Sequence, residues 1–141
     1  MRLPAAEFLD GVHRRFSVPR PVHFEITVED AARAQAFYTT IFGWSFNKWG
    51  GDDMPYWMAK TGPDGEMGID GGLVQRQGTM GPGTTNTMGV ESVDASVEAI
   101  KAAGGQIIMD KMAIPGMGWV AYALDTEGNQ LGVFEEDAAA K

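Results

Sequence analysis

Displaced by 62 residues, the chain falls on itself. Val28-Glu29 meets Val90-Glu91, Asp30 meets Ser92, Tyr38 meets Ile100 and Gly43 meets Gly105. A repeat of this length is one supersecondary unit used twice, so it constrains the fold more than any single motif. The order in each half is the same: a short strand, a capping residue, one helix, then a glycine. Asp30 and Ser92 are suited to accept hydrogen bonds from the free N–H groups of a first helical turn. Behind them lie apolar helical faces, Ala34, Phe37, Tyr38 and Ile41 in one half and Val97, Ile100 and Ala103 in the other. Gly43 and Gly105 suit the left-handed position that ends a helix.

Strand-like stretches follow each helix. They are Trp44–Trp49, Tyr56–Lys60 and Met67–Gln75 in the first half, and Gln106–Asp110, Trp119–Leu124 and Gln130–Glu135 in the second. Gly62-Pro63-Asp64-Gly65 and Asp125-Thr126-Glu127-Gly128-Asn129 supply turns between the last two of each set. Each half therefore reads β-α-β-β-β, over about 21–77 and 84–136, with Gly78 to Thr85 as linker. Neither half can bury both its helix and its sheet alone. The expectation is one α+β domain over 21–137, with an extension at 1–20 and a tail at 138–141. In the extension, Phe8, Leu9, Val12 and Phe16 recur at helical spacing before Pro19 and Pro21 stop any helix. It reads as an arm packing on its own domain or on a partner.

Several residue patterns support the same architecture from another direction. His23-Phe24-Glu25-Ile26-Thr27-Val28-Glu29-Asp30 resembles the opening strand and helix cap of the vicinal oxygen chelate superfamily. That superfamily includes glyoxalase I, bleomycin-resistance proteins and extradiol dioxygenases. Ala36-Phe37-Tyr38 through Ile41-Phe42-Gly43-Trp44 is similar to its helix ending. Asp125-Thr126-Glu127-Gly128-Asn129 is similar to its hairpin, with threonine where proline is usual. The resemblance implies two paired modules forming a cup-shaped mixed sheet with helices outside. It also implies a homodimer. It fixes no chemistry, because this fold carries many.

The resemblance further implies a divalent metal held by a histidine or glutamate on each opening strand and glutamates on the closing strands. His23 stands at the first of these positions. The second is Thr85, the closing position of the second half is Gly132, and the first half offers Asp70 as its nearest acid. One ligand of four is present, whereas a catalytic metal usually takes about three protein ligands. The expectation is no metal cofactor, with His23 and Asp70 the candidates if a divalent ion binds. A lone strand histidine is also commonly a hydrogen-bonded structural residue.

Alternation on the first strand puts Val22, Phe24, Ile26 and Val28 under the helices, and His23, Glu25 and Thr27 on the face of a partly solvated cavity. Thr85 and Thr87 are the counterparts in the second half. Trp57, Trp119, Tyr122 and Phe134 are candidate ligand contacts among aromatics and nine methionines, the usual lining of a small-molecule site. The loop Ile114-Pro115-Gly116-Met117-Gly118 is a candidate rim.

Two functions stay open: a metal-free binder of an apolar or aromatic small molecule, or a lyase, isomerase or dioxygenase of the glyoxalase-like group. In the enzyme reading either an irregular metal serves, or His23 and Glu25 act as an acid–base pair on a bound carbonyl compound. Nineteen acidic residues against eleven basic ones leave a charge of −8, which argues against nucleic acid and anionic membranes as partners. The chain contains no cysteine, so thiolate metal sites and cysteine nucleophiles are excluded. With no apolar run long enough for a signal or a membrane span, the expected location is the cytoplasm.

Overall fold

The computed structural model describes residues 18–49, 55–78 and 81–141. Its elements follow the repeat. The first module is β1 (Arg20–Val28), α1 (Ala31–Phe42), β2 (Ser45–Trp49), β3 (Tyr56–Lys60) and β4 (Gly71–Gln75). The second is β5 (Thr84–Gly89), α2 (Val93–Ala102), β6 (Gln106–Ile114), β7 (Gly118–Leu124) and β8 (Gln130–Glu136). The α+β class and the doubled β-α-β-β-β order agree with the sequence reading. The 62-residue offset holds for the helix starts, Ala31 and Val93, and for the starts of β3 and β7, Tyr56 and Gly118. The arm's apolar positions from Phe8 to Phe16, and His13, lie outside the described residues.

The described chain divides into two compact units, one of residues 22–87 and the other of 88–141 with residues 18–21. In the unit of residues 22–87 the strands run in the order β2-β3-β4-β1. β1 and β4 are parallel, with Glu25 beside Gly72, and the other two pairings are antiparallel. β5 begins next to β1, where the Thr27 amide donates to the Gly83 carbonyl at 3.0 Å. In the second unit β8, β7 and β6 form an antiparallel run.

Both caps form as expected. The Asp30 carboxylate accepts from the Arg33 amide, and the Ser92 hydroxyl accepts from the Ala95 amide at 3.1 Å. Gly43 ends α1 in the left-handed region at φ +72°. In the second module that conformation falls on Gly104, φ +96°, rather than on Gly105. α2 stops two residues earlier than the offset would place it, and a side chain at Gly105 would strike Ile100 and the Leu124 carbonyl. Gly105 is thus kept small by close packing.

The helices differ in how well they are covered. Val93 of α2 is fully buried with Val90, Ala121 and Val133, and Met88, Val97, Ile100, Trp119 and Leu131 pack around them. α1 buries no residue completely. Tyr38 stacks on Trp44 at 5.0 Å, and Trp44 reaches Phe24 of β1. Phe37 and Ile41, one turn apart on the next stripe, remain more than half exposed. They are not part of the helix's buried face as the periodicity suggests.

Met67 to Asp70 lie in the turn before β4, not in the strand. The Ile114–Gly118 segment is a tight hairpin turn, closed by the Met117 amide on the Ile114 carbonyl at 2.9 Å. The Gly116 amide donates to the Ala140 carbonyl at 2.9 Å, tying the tail residue Ala140 back. No helix among the described residues is long and apolar enough to cross a membrane.

Candidate functional site

Strand pairing decides which side chains share a face. In the unit of residues 22–87, Glu25 pairs with Gly72, Gly72 with Met58, and Met58 with Asn47. This face therefore carries His23, Glu25 and Thr27 from β1, Gly72 and Val74 from β4, and Tyr56 and Met58 from β3. Trp49, paired with Tyr56, completes it. The opposite face carries Phe24, Leu73, Trp57 and Ala59, and it is the α1 side, since Phe24 lies against Trp44.

At the centre of the first face the Tyr56 hydroxyl stands 2.6 Å from Nε2 of His23. Their rings are nearly parallel, 13° apart, and Trp49 meets the Tyr56 ring edge-on. Burial pushes the His23 imidazole below its ordinary pKa, against the opposing pull of the Asp70 charge. Burial, and then the Glu25 charge, push the Tyr56 phenol above its own. Both shifts favour the neutral forms, and the imidazole tautomer sets which of the two donates.

Gly72 makes this contact possible. A Cβ there would lie 2.1 Å from the Tyr56 hydroxyl oxygen, closer than any van der Waals contact allows. Glu25, expected on the face of a partly solvated cavity, is only 9% exposed.

Thr85 and Thr87 are also buried, and the Thr87 Oγ1 has no hydrogen-bond partner. Met88 packs toward the α2 core, so Thr87, its neighbour on the strand, points to the other side of β5.

Asp70 is not free to serve a metal. Burial opposes its charge, but hydrogen bonds from the Thr61 amide, the Lys60 ammonium and the Thr61 hydroxyl outweigh it and hold the carboxyl below its ordinary value. His23 has Nε2 engaged by Tyr56, and Glu135 on the closing strand accepts from the Val93 amide at the start of α2. Among the described residues, no three His, Cys, Asp or Glu side chains gather closely enough to hold a metal ion.

The remaining aromatic candidates separate by face. Trp57 pairs with Leu73 on the α1 side and does not join His23 and Glu25. In the second unit Trp119 belongs to the α2 side. Its indole donates to Asp137 at 3.0 Å, and Lys111 lies 4.6 Å over its ring. Tyr122 pairs with Gly132, and Phe134 pairs with Val120, on the other face of β7 and β8.

Sequence reasoning missed Tyr56 and Gly72. The signals were slight: a tyrosine next to a more conspicuous tryptophan, and a Gly-Gly pair opening a strand.

Comparison with known proteins agrees with this construction. Residues 20–62 match the family model described as bleomycin resistance protein-like N-terminal. Proteins from Mycobacterium bovis and Mycobacterium tuberculosis that bear the name glyoxylase CFP32 are 27% identical over 123 residues. That match covers 82% of this chain and 45% of theirs, so the chain spans about half the length of these relatives.

Among solved structures, Mycobacterium tuberculosis methylmalonyl-CoA epimerase superposes with a TM-score of 0.64 at 16% identity, over 83% of this chain and 87% of that one. A Streptomyces coelicolor methylmalonyl-CoA epimerase bound to 2-nitronate-propionyl-CoA gives 0.67 at 18%, over 86% and 100%. The Bacillus halodurans protein BH1468 gives 0.67 at 14%, over 87% and 98%. At these identities the structural likeness speaks to the fold.

Proposed function

We propose that this chain is a member of the vicinal oxygen chelate superfamily and that it binds a small apolar or aromatic molecule without the superfamily's metal. The bound molecule lies on the β1-β3-β4 face that carries His23, Glu25 and Tyr56. The observation that carries this reading is the 2.6 Å contact between Tyr56 and His23 Nε2. It engages, with a phenol, the ring nitrogen that a metal would need. The neutral pair, flanked by Trp49 and Met58, offers an apolar surface with a few placed polar groups, the usual form of a ligand site. We further expect the protein to act as a homodimer in the cytoplasm.

Titration with the fluorescent probe N-phenylnaphthylamine tests it. The wild-type chain should bind saturably, with energy transfer from tryptophan. Tyr56→Ala should weaken binding about tenfold by removing an aromatic wall. An absence of saturable binding, or equal affinity in the variant, contradicts the reading.

A second reading rests on the Glu25 charge beside the Tyr56 phenol. A buried carboxylate near a neutral imidazole and a protonated phenol is equipped to take and return a proton, the work of a lyase or isomerase. Glu25→Gln separates the two readings. It should leave probe binding in place in both, and it should abolish turnover only if the protein is an enzyme.

A further inference from the structure

The face that carries His23 and Tyr56 ends in a cation. Arg76 follows β4 in the same alternation as Gly72 and Val74, and its amide continues the ladder by donating to the Val28 carbonyl at 2.9 Å. Its Nε donates to the Thr27 hydroxyl at 3.3 Å and one terminal nitrogen donates to the Thr27 carbonyl at 3.4 Å. Thr27 keeps its own proton on the Gly81 carbonyl. These are long bonds, and they occupy two of the five N–H donors of a guanidinium.

Arg33, Lys60, Lys101 and Lys111 each have a carboxylate partner. Among the described residues Arg76 pairs with none, in a chain with nineteen acidic side chains and a net charge of −8. Among the described residues this half-buried arginine has no carboxylate partner, and its planar fork of donors suits an oxyanion held by two parallel bonds.

We propose that Arg76 recognises an anionic group on the bound molecule, a carboxylate, sulfonate or phosphate. This rests on the small-molecule reading above and names its ligand class. Along β1, Thr27 lies two residues from Glu25 and four from His23, roughly 7 and 13 Å at strand spacing. The ligand therefore carries its anion at one end, away from Glu25. One or two apolar rings separate it from a group that can hydrogen-bond at the Tyr56–His23 pair.

Two probes with one ring system isolate the claim. Anilinonaphthalenesulfonate carries an anion, and N-phenylnaphthylamine is its uncharged counterpart. Arg76→Gln should weaken the sulfonate about tenfold and leave the neutral probe within about twofold. Arg76→Lys keeps the charge but loses the fork. It should weaken the sulfonate about threefold, and it serves if the glutamine variant does not fold. Unchanged sulfonate affinity in the variant that folds, or equal loss of both probes, overturns the assignment of Arg76 while the binding site stands. If neither probe binds the wild-type chain, the small-molecule reading itself falls.

Discussion

The hydroxyl of Tyr56 stands 2.6 Å from Nε2 of His23, across 33 residues of sequence. β1 and β3 are not neighbours, for β4 lies between them. The contact exists because the residue of β4 beneath it is Gly72. It joins two groups whose burial has moved their proton affinities in opposite directions, the imidazole down and the phenol up.

Tyr56→Phe removes the hydroxyl and leaves a partly buried imidazole nitrogen unsatisfied. Unfolding free energy from denaturant titration should drop by about 1–2 kcal/mol. The phenol favours the neutral imidazole, so His23 should titrate at a higher pH in the variant when followed by NMR. An unchanged or lower His23 value would argue against the hydrogen bond.

Gly72→Ala drives a methyl group into the Tyr56 hydroxyl. It should cost about 1–3 kcal/mol by overpacking and strand distortion. Gly62→Ala, where a methyl group meets nothing, should stay within about 0.5 kcal/mol. Equal thermal shifts for the two variants would remove Gly72 from the account.

The doubled module could be read from the sequence because the signals that specify it are local. Asp30 and Ser92 each cap a helix within three residues of themselves, and Gly43 needs no distant partner to adopt its left-handed conformation. The site could not be read in the same way. Choosing Trp57 over Tyr56 differs by one residue in a strand, and one residue exchanges the faces. Glu25 was assigned to a partly solvated cavity face on the cost of burying charge. Its 9% exposure comes from neighbouring strands that no local pattern encodes. Gly104 and Gly105 were confused because both are needed, one for its dihedral angle and one for its missing side chain.

Acid should destabilise the protein through His23. Its folded pKa lies below the ordinary value of 6.5, so the unfolded chain binds more protons as pH falls past that point. Stability present above pH 6.5 is then lost on the way down to the lowered folded value. Thermal unfolding between pH 7.5 and roughly 5 should show this slope, and it should flatten in His23→Gln. A wild-type melting temperature that is constant over that range would contradict the neutral, buried imidazole.

Thr87 holds a buried hydroxyl with no partner, a net cost to folding. Thr87→Val keeps the branched shape and removes the orphaned group. It should raise unfolding free energy by about 1 kcal/mol in denaturant titration. A loss of similar size would mean the hydroxyl is satisfied in solution.

The claim that matters most is that the His23–Tyr56 face accepts a ligand without an ion. Its most direct test is the affinity of N-phenylnaphthylamine for metal-stripped chain, measured again after adding zinc, manganese or nickel. The account predicts the same saturable affinity in every sample. Binding that is absent after stripping and restored by one of these ions would contradict it.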